Sequence, residues 1–433
     1  MSIAVISTGT ELLKGTVLNT NLAFLGRELE TLGLAIRLAL IAGDHERDLY
    51  AAFSEALGSA DTLIVTGGLG PTRDDITLDA TARFFGLTLT PHPELVEKVT
   101  AFWGRRHRGR VPKQVLRQAR APQGAVILPN PNGSASGFRI DTLYGNRERR
   151  IFLLPGPPRE FEPMAHAALL PELARSAESE GHEYTLGYLA AGEPEFQLQV
   201  RLEKALEPFP VELAYCATPA GTRVFVSGTD SGQVKAAAEL ARTLSGPAPL
   251  PCGELELPGP ILAELGRRGW KLVTAESCTG GMIAAALTAV PGSSKSFRGG
   301  TVVYSNEMKH LLLGVPQEIF AARGAVSAEC ATAMVDGAAE KLGAECAIAV
   351  TGIAGPASDD TAKPVGLVYI GVRAGKKRTV QEFHFPGDRN TVRERSCGNA
   401  LLMLYRLLHE DEIDAAAAAG GQQLRLPDPP DLG

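Results

Sequence analysis

At 433 residues, with 44% hydrophobic and 21% charged side chains, the chain has the composition of a globular protein and the length of two to four domains. Its 43 basic and 49 acidic residues give a net charge of -6, and the lack of a basic stripe argues against general nucleic-acid binding. No apolar run reaches the roughly 18–20 residues of a membrane span. MSIAVISTGTELLKG has no basic region before its apolar run and reads as a first strand rather than a signal peptide. The cysteines Cys216, Cys252, Cys278, Cys330, Cys346 and Cys397 form no CxxC pair or zinc cluster, so a reduced, cytoplasmic protein is expected.

SIAVIS (2–7) and LIVTGG (63–68) read as buried strands ending in glycine-rich turns. Between them Leu22, Leu25, Leu29 and Leu32 recur at helical spacing up to Gly33, and DHERDLYAAFSEAL is a second helix. Such alternation predicts a parallel sheet with right-handed crossovers. AVILPN, SGFRID and RRIFLLPG continue this domain, and PREFEPMAHAALLPEL closes it, over 1–172. Residues 173–247 alternate YTLGYLAAG, VELAYCATPAG and TRVFVSGT with two helices, EFQLQVRLEKALEP and QVKAAAELARTL. They predict a small α+β module, a spacer or dimerisation element without a phosphate loop or paired surface aromatics. The Pro/Gly-rich 248–258 reads as a linker. WKLVTA, GTVVYS, CAIAVTG, GLVYIGVRAG and RTVQEFHF are the strands of a second α/β domain over 259–410, and 411–433 is a low-complexity tail expected to be disordered. The fold class is therefore α/β: two α/β domains with mainly parallel or mixed sheets, joined by a small α+β module.

In the first domain STGTELLKG (7–15) and TGGLGPTRDDIT (66–77) carry the signal. Neither is a Walker A loop or a GxGxxG turn. TGGLGP nevertheless leaves a strand directly, and its N–H groups suit an anion nest at a helix start. Asp74, Asp75 and Asp44 are candidates to hold Mg²⁺ between phosphate oxygens. The competing reading makes the Asp pair a complement to the helix dipole.

In the second domain ESCTGG sets Ser277, Cys278 and Thr279 side by side at a strand-to-helix turn. A thiolate is intrinsically the better nucleophile, whereas an N-cap is the structural alternative for the whole turn. GTVVYSNEMKHLLLGV places Tyr304 at a strand end and Lys309 in the first turn of a helix capped by Ser305 or Asn306. There the dipole disfavours the charged amine, and such a lysine can act as base for a serine. VTGIAGP (350–356) adds a strand-end turn suited to phosphate.

STGTELLKG, Thr20-Asn21, TGGLGPTRDDIT and LPGPPREFEPM resemble the molybdopterin-binding domains, in the version found in the competence/damage-inducible CinA family. TAESCTGG, PGSSKSFRGGTVVYSNEMKHLLLGV, GAVS, VTGIAGP, GLVYIGV and FHFPGDRNTVRERS resemble the family's C-terminal domain, which occurs alone as a nicotinamide mononucleotide (NMN) deamidase. The resemblance runs from residue 2 to about 409, with the motifs in the family's order. It implies a bifunctional enzyme of pyridine-nucleotide salvage. In front is a divalent-metal ADP-ribose pyrophosphatase with Asp75 as key carboxylate and Asp44 as its partner. Gly67, Gly68 and Gly70 would lie against phosphate, with Thr8 and Glu11 completing the site. Arg159 is a phosphate candidate whose alternative is a surface ion pair. Behind is a metal-free amidase with Ser277 as nucleophile and Tyr304 and Lys309 handling the proton. Thr279, Gly280 and Gly281 would supply oxyanion N–H groups. Thr351, Gly352 and Arg393, or else Arg389 or Arg395, would bind the substrate phosphate. The resemblance also implies a homodimer, with no membrane or nucleic-acid partner. Two other readings stand beside it: a non-catalytic front domain binding a nucleotide or pterin, and a competence-associated interaction protein.

Overall fold

The computed structural model describes residues 2–106, 111–177, 184–246, 249–358, 363–411 and 413. The chain divides into two compact units, Met1–Tyr184 and Thr185–Gly433. The first runs β1 (Ile3–Thr8), α1 (Thr10–Leu13), α2 (Thr20–Thr31), β2 (Ile36–Ala42), α3 (Glu46–Ser59), β3 (Thr62–Thr66) and α4 (Thr77–Phe84). It continues through β4 (Leu89–Pro91), α5 (Pro93–Arg106), β5 (Arg120–Pro122), β6 (Val126–Leu128), β7 (Gly137–Tyr144), β8 (Arg147–Leu154), α6 (Pro158–Met164) and α7 (Leu170–Ala177). The predicted leucine helix is α2: Asn19 caps it by accepting from Leu22 N at 3.2 Å, and Leu25 and Leu29 are buried.

The six-stranded sheet has the order β2-β1-β3-β8-β7-β6, and it is parallel from β2 through β8. β7 runs antiparallel to β8 because Gly145 (φ 58°) and Asn146 (φ 62°) make a two-residue hairpin with both residues left-handed. Along β1, Ile3 and Val5 join one core while Ala4 and Ile6 join the core on the opposite face. Since β2 and β3 flank β1 on opposite sides, their crossovers diverge at the carboxyl ends of β1 and β3. That divergence is where open α/β sheets place a ligand crevice.

The second unit opens with β9 (Tyr184–Ala191), α8 (Glu195–Leu206), β10 (Glu212–Thr218), β11 (Gly221–Gly228) and α9 (Ser231–Leu244), which build the predicted α+β module around a β10-β11-β9 sheet. This module belongs to the same compact unit as the C-terminal sheet. The described part of the Pro/Gly-rich run is tied along β9, with Leu250 N donating to Leu189 O at 2.9 Å and Gly253 N to Gly187 O at 2.7 Å. Leu250 and Leu257 are buried, which fixes a segment whose composition alone reads as flexible. Of the predicted tail, residues 412 and 414–433 lie outside the described residues.

Then follow α10 (Pro258–Arg268), β12 (Leu272–Glu276), α11 (Met282–Thr288), β13 (Phe297–Val302), α12 (Asn306–Leu313), α13 (Gln317–Arg323) and α14 (Ala328–Leu342). The unit ends with β14 (Cys346–Gly352), β15 (Leu367–Ala374), β16 (Lys377–His384) and α15 (Arg389–Leu408). The sheet order is β13-β12-β14-β15-β16; β12 is parallel to β13 and β14, and β14, β15 and β16 are antiparallel. A second divergence point therefore lies at the carboxyl ends of β12 and β14, where Glu276 stands opposite Val350. Among the described residues no helix is long and apolar enough to cross a membrane.

Candidate functional site

In the second unit the chain leaves β12 at Glu276 and turns sharply into α11 through Gly280 (φ 63°) and Gly281 (φ 99°). Glu276 is 1% exposed, and its carboxylate accepts from Gly281 N (2.9 Å), Ile283 N (3.1 Å) and Ala284 N (2.9 Å). These are the orphan donors of a helix start, satisfied by an anion held on the preceding strand. The next residue, Ser277, is fixed on the main chain by Ser277 N donating to Val350 O and Gly280 N donating to Ser277 O.

Lys309 enters this turn from α12, which Ser305 caps by accepting from Met308 N at 3.2 Å. The lysine is 2% exposed; its Nζ donates to Ser277 Oγ at 3.0 Å, Val303 O at 2.9 Å and Tyr304 O at 3.3 Å. Burial lowers its pKa below the ordinary lysine value. Loss of one proton leaves two N–H groups for the two carbonyls and turns the lone pair toward Ser277 Oγ. Cys278 is also buried, and that burial pushes its thiol up to about 11, keeping it protonated near neutral pH.

In the first unit a cavity of about 500 Å³ lies at the carboxyl ends of β1 and β3. Thr8, Glu11, Asp44, Gly67, Gly68, Gly70, Asp74 and Asp75 all line it, so the structure brings the predicted front-site residues together. Asp44 accepts from Thr10 N at 2.8 Å, and Asp75 accepts from Thr72 N at 2.9 Å and from the Thr72 hydroxyl. Asp75 thus folds its own loop; the first turn of α4 carries Asp79 as its acidic residue. A side chain at Gly70 would strike the Asp75 carboxylate, and one at Gly67 (φ 107°) would strike Thr8. Arg117 ties down the same loop by donating to Thr72 O, Asp75 O and Asp79.

Residues 4–175 match the family model described as probable molybdopterin binding domain, and residues 256–408 match the CinA C-terminal domain. The chain is 38% identical over 423 residues to a "Putative competence-damage inducible protein" of Moorella thermoacetica, covering 94% of this chain and 99% of the relative. The chain belongs to the CinA family. A "CinA-like protein" of Citrifermentans bemidjiense is 40% identical over 413 residues, covering 94% of this chain and 98% of its own. A CinA superfamily protein of known structure from Klebsiella pneumoniae is 35% identical, covering 36% of this chain and 96% of its own, with a TM-score of 0.35.

Several residues expected from the family resemblance are placed differently from their expected roles. Tyr304 meets Lys309 through its main-chain oxygen, while its exposed hydroxyl accepts from Arg389 Nη2 at 2.9 Å. Of the three expected oxyanion donors, Gly280 N and Gly281 N are engaged within the turn, and Thr279 N faces the weakly accepting sulfur of Cys278. Arg393 clamps Cys278 O (3.2 Å) and Thr279 O (3.1 Å), and the Thr351 hydroxyl donates to Ala325 O at 2.8 Å. Gly352 allows close approach of β15, since a side chain there would meet Leu367 O and Val368. Gly67 N donates to Leu154 O at 3.0 Å, so its N–H is used within the fold and this glycine shapes the turn without donating into the cavity. Arg159 is exposed, 4.0 Å from Glu160. Asn130 Nδ2 donates to the largely buried Glu160 on the cavity wall. No local pattern marks Glu276, or Gln118, which lines the front cavity and donates to Leu69 O; their positions depend on tertiary packing.

Proposed function

We propose that the second unit hydrolyses the carboxamide of NMN to nicotinate mononucleotide and ammonia. The observation carrying this reading is the buried Lys309 Nζ, 3.0 Å from Ser277 Oγ and bonded to two main-chain carbonyls. Neutral Lys309 takes the Ser277 proton as Oγ attacks the amide carbon. The resulting ammonium then delivers that proton to the leaving nitrogen, releasing ammonia. Water, deprotonated by the same amine, attacks the acyl-serine ester, and Lys309 returns the proton to Ser277 Oγ. The Thr279 N–H is the remaining main-chain candidate for the developing oxyanion. Cys278 is a neighbour, held as a thiol by burial.

The test is ammonia release from NMN by wild type, Ser277→Ala and Cys278→Ala. Activity lost in Ser277→Ala and kept in Cys278→Ala supports the serine mechanism. The reverse pattern overturns it, and an inactive wild type overturns the substrate.

For the first unit we infer ADP-ribose pyrophosphatase activity. Asp44, Asp74, Asp75 and Glu11 offer hard oxygen donors to one cavity. Among the described residues no group of three or more His, Cys, Asp or Glu side chains could hold a metal by itself. That donor set suits Mg²⁺, which typically takes one or two carboxylates together with substrate phosphate oxygens. A bound divalent ion would supply charge neutralisation at the pyrophosphate. The chain's own contribution is to hold Asp75 on the Thr72 turn and Asp44 on Thr10 N, with the Gly68–Gly70 backbone shaping the phosphate wall. Wild-type rates of ADP-ribose hydrolysis by Asp75→Asn would remove this assignment.

A further inference from the structure

Beside the front cavity lies a smaller chamber of about 170 Å³, walled by Val99, Phe102, Trp103 and Val115. It shares Pro71, Gln118 and Ser134 with the larger cavity. The two spaces differ in chemistry. The large one carries the carboxylates and the glycine turn; the small one is apolar and aromatic. Pro71 directly follows Gly70, so a ligand with its phosphates against the glycine turn has the chamber as its next station.

Gln118 stands at the shared wall and is 5% exposed. Its Nε2 donates to Leu69 O at 3.1 Å, which fixes the orientation of the amide. Oε1 is buried and has no partner among the described residues. A buried carbonyl oxygen without a donor is costly unless something supplies one.

Resting on the pyrophosphatase reading, we propose that this chamber is the base subsite of the first unit. It takes a planar, amino-bearing heterocycle of a phosphorylated ligand, stacked on Phe102 or Trp103, with its exocyclic amine donating to Gln118 Oε1. Aromatic stacking suits any flat ring, whereas the Gln118 acceptor selects rings bearing an amine. Adenine and pterin share this chemistry, and the experiment separates them.

The chain has two tryptophans, Trp103 and Trp270, and Trp270 lies in the second unit. In Trp270→Phe protein, Trp103 is the sole indole reporter. Titrations with AMP, ribose 5-phosphate, inorganic pyrophosphate and a hydroxymethylpterin follow its emission, with calorimetry reporting binding independently. The expected result is that AMP quenches Trp103 while ribose 5-phosphate and pyrophosphate leave it unchanged. Gln118→Leu then weakens AMP by about five- to tenfold, the value of one net hydrogen bond, and leaves purine riboside monophosphate, which lacks the amine, unaffected. Quenching by the pterin but not AMP keeps the subsite and assigns the ring as pterin.

AMP and pterin binding without a change in Trp103 emission overturns the proposal, as does an absence of binding by either. Equal weakening of the amine-bearing and amine-free ligands by Gln118→Leu overturns the acceptor role. Quenching is independent of turnover, so AMP binding without ADP-ribose hydrolysis would sink the pyrophosphatase reading and leave the subsite standing.

Discussion

Glu276→Gln removes one charge from the turn beneath Ser277 and keeps the side chain's shape. The carboxylate now accepts three main-chain N–H groups within 3.1 Å. An amide oxygen can keep the two of Gly281 and Ile283, leaving its NH₂ facing Ala284 N–H, donor against donor. The two surviving bonds lose charge assistance, at about 1 kcal/mol each, and the orphaned N–H costs about 1–3 kcal/mol. Relief of the buried charge offsets part of this, so a net loss of about 2–4 kcal/mol is expected. For a unit of this size that lowers the melting transition by about 5–15 °C. Ser277 follows Glu276 directly, so loosening the turn also moves Oγ relative to Lys309. Misplacement on the 1 Å scale costs on the order of 100-fold in rate. The assay is ammonia release from NMN beside a melting curve, below the transition of the variant. kcat falls by about 10- to 100-fold while KM stays within about twofold. A variant that melts lower yet deamidates at the wild-type kcat would refute the claim that Glu276 positions the serine.

Further outcomes follow from neighbouring groups. kcat/KM for NMN rises with pH until Lys309 is neutral, at a pKa that burial holds below 10.5; a pH–rate profile without that limb would count against the lysine base. Stability carries the same sign: between the depressed folded pKa and the unfolded value, the unfolded chain binds one more proton, so stability rises with pH across that window. Below the window the cost of the buried ammonium is fully present, and denaturation series on wild type and Lys309→Met isolate its slope. Gly67→Ala, at φ 107° with Thr8 in the way, destabilises the first unit by at least about 1–3 kcal/mol and abolishes front-site binding; an unchanged melt would show that the turn can relax. Arg389→Met, which loses the bonds to Gly355 O and the Tyr304 hydroxyl, raises KM for NMN and leaves kcat within a few-fold; an unchanged KM would clear Arg389 of any role in binding.

The strands and the place of Lys309 were legible because they rest on local pattern, whereas the choice of Ser277 over Cys278 as its partner rested on the family resemblance. Apolar runs ending in glycine gave β1, β3, β12 and β14, and Ser305 as cap placed Lys309 in the first turn of α12. What escaped the sequence depends on which atom of a residue is used. Tyr304 is visible as an aromatic at a strand end, but its main-chain oxygen, rather than its hydroxyl, holds the lysine. Arg393 reads as a phosphate ligand in a GDRNTVRERS run, yet its guanidinium closes on two carbonyls of the serine turn. Glu276 looks like any charge after an apolar run until the left-handed Gly280 and Gly281 fold the helix start back onto it.

That last contact separates the chemistry of the two strand-end sites. In the first unit the crevice keeps open carboxylates and a glycine wall facing a shared cavity. In the second, the helix start that would ordinarily attract a substrate phosphate is filled by the chain's own carboxylate. A phosphate near Ser277 then falls to other groups; Arg393 holds the turn through Nε and Nη2, which leaves it the other N–H donors of its guanidinium. Arg389 is different: it is exposed, and one of its two partners is the exposed Tyr304 hydroxyl. A neutral hydroxyl acceptor on the surface is a weaker partner for a guanidinium than a phosphate oxygen. Under the deamidase reading, substrate can exchange for the Tyr304 hydroxyl on Arg389 while the Tyr304 main-chain oxygen stays on Lys309, so a single residue, used through two different atoms, joins the phosphate-binding group to the pair that cuts the amide.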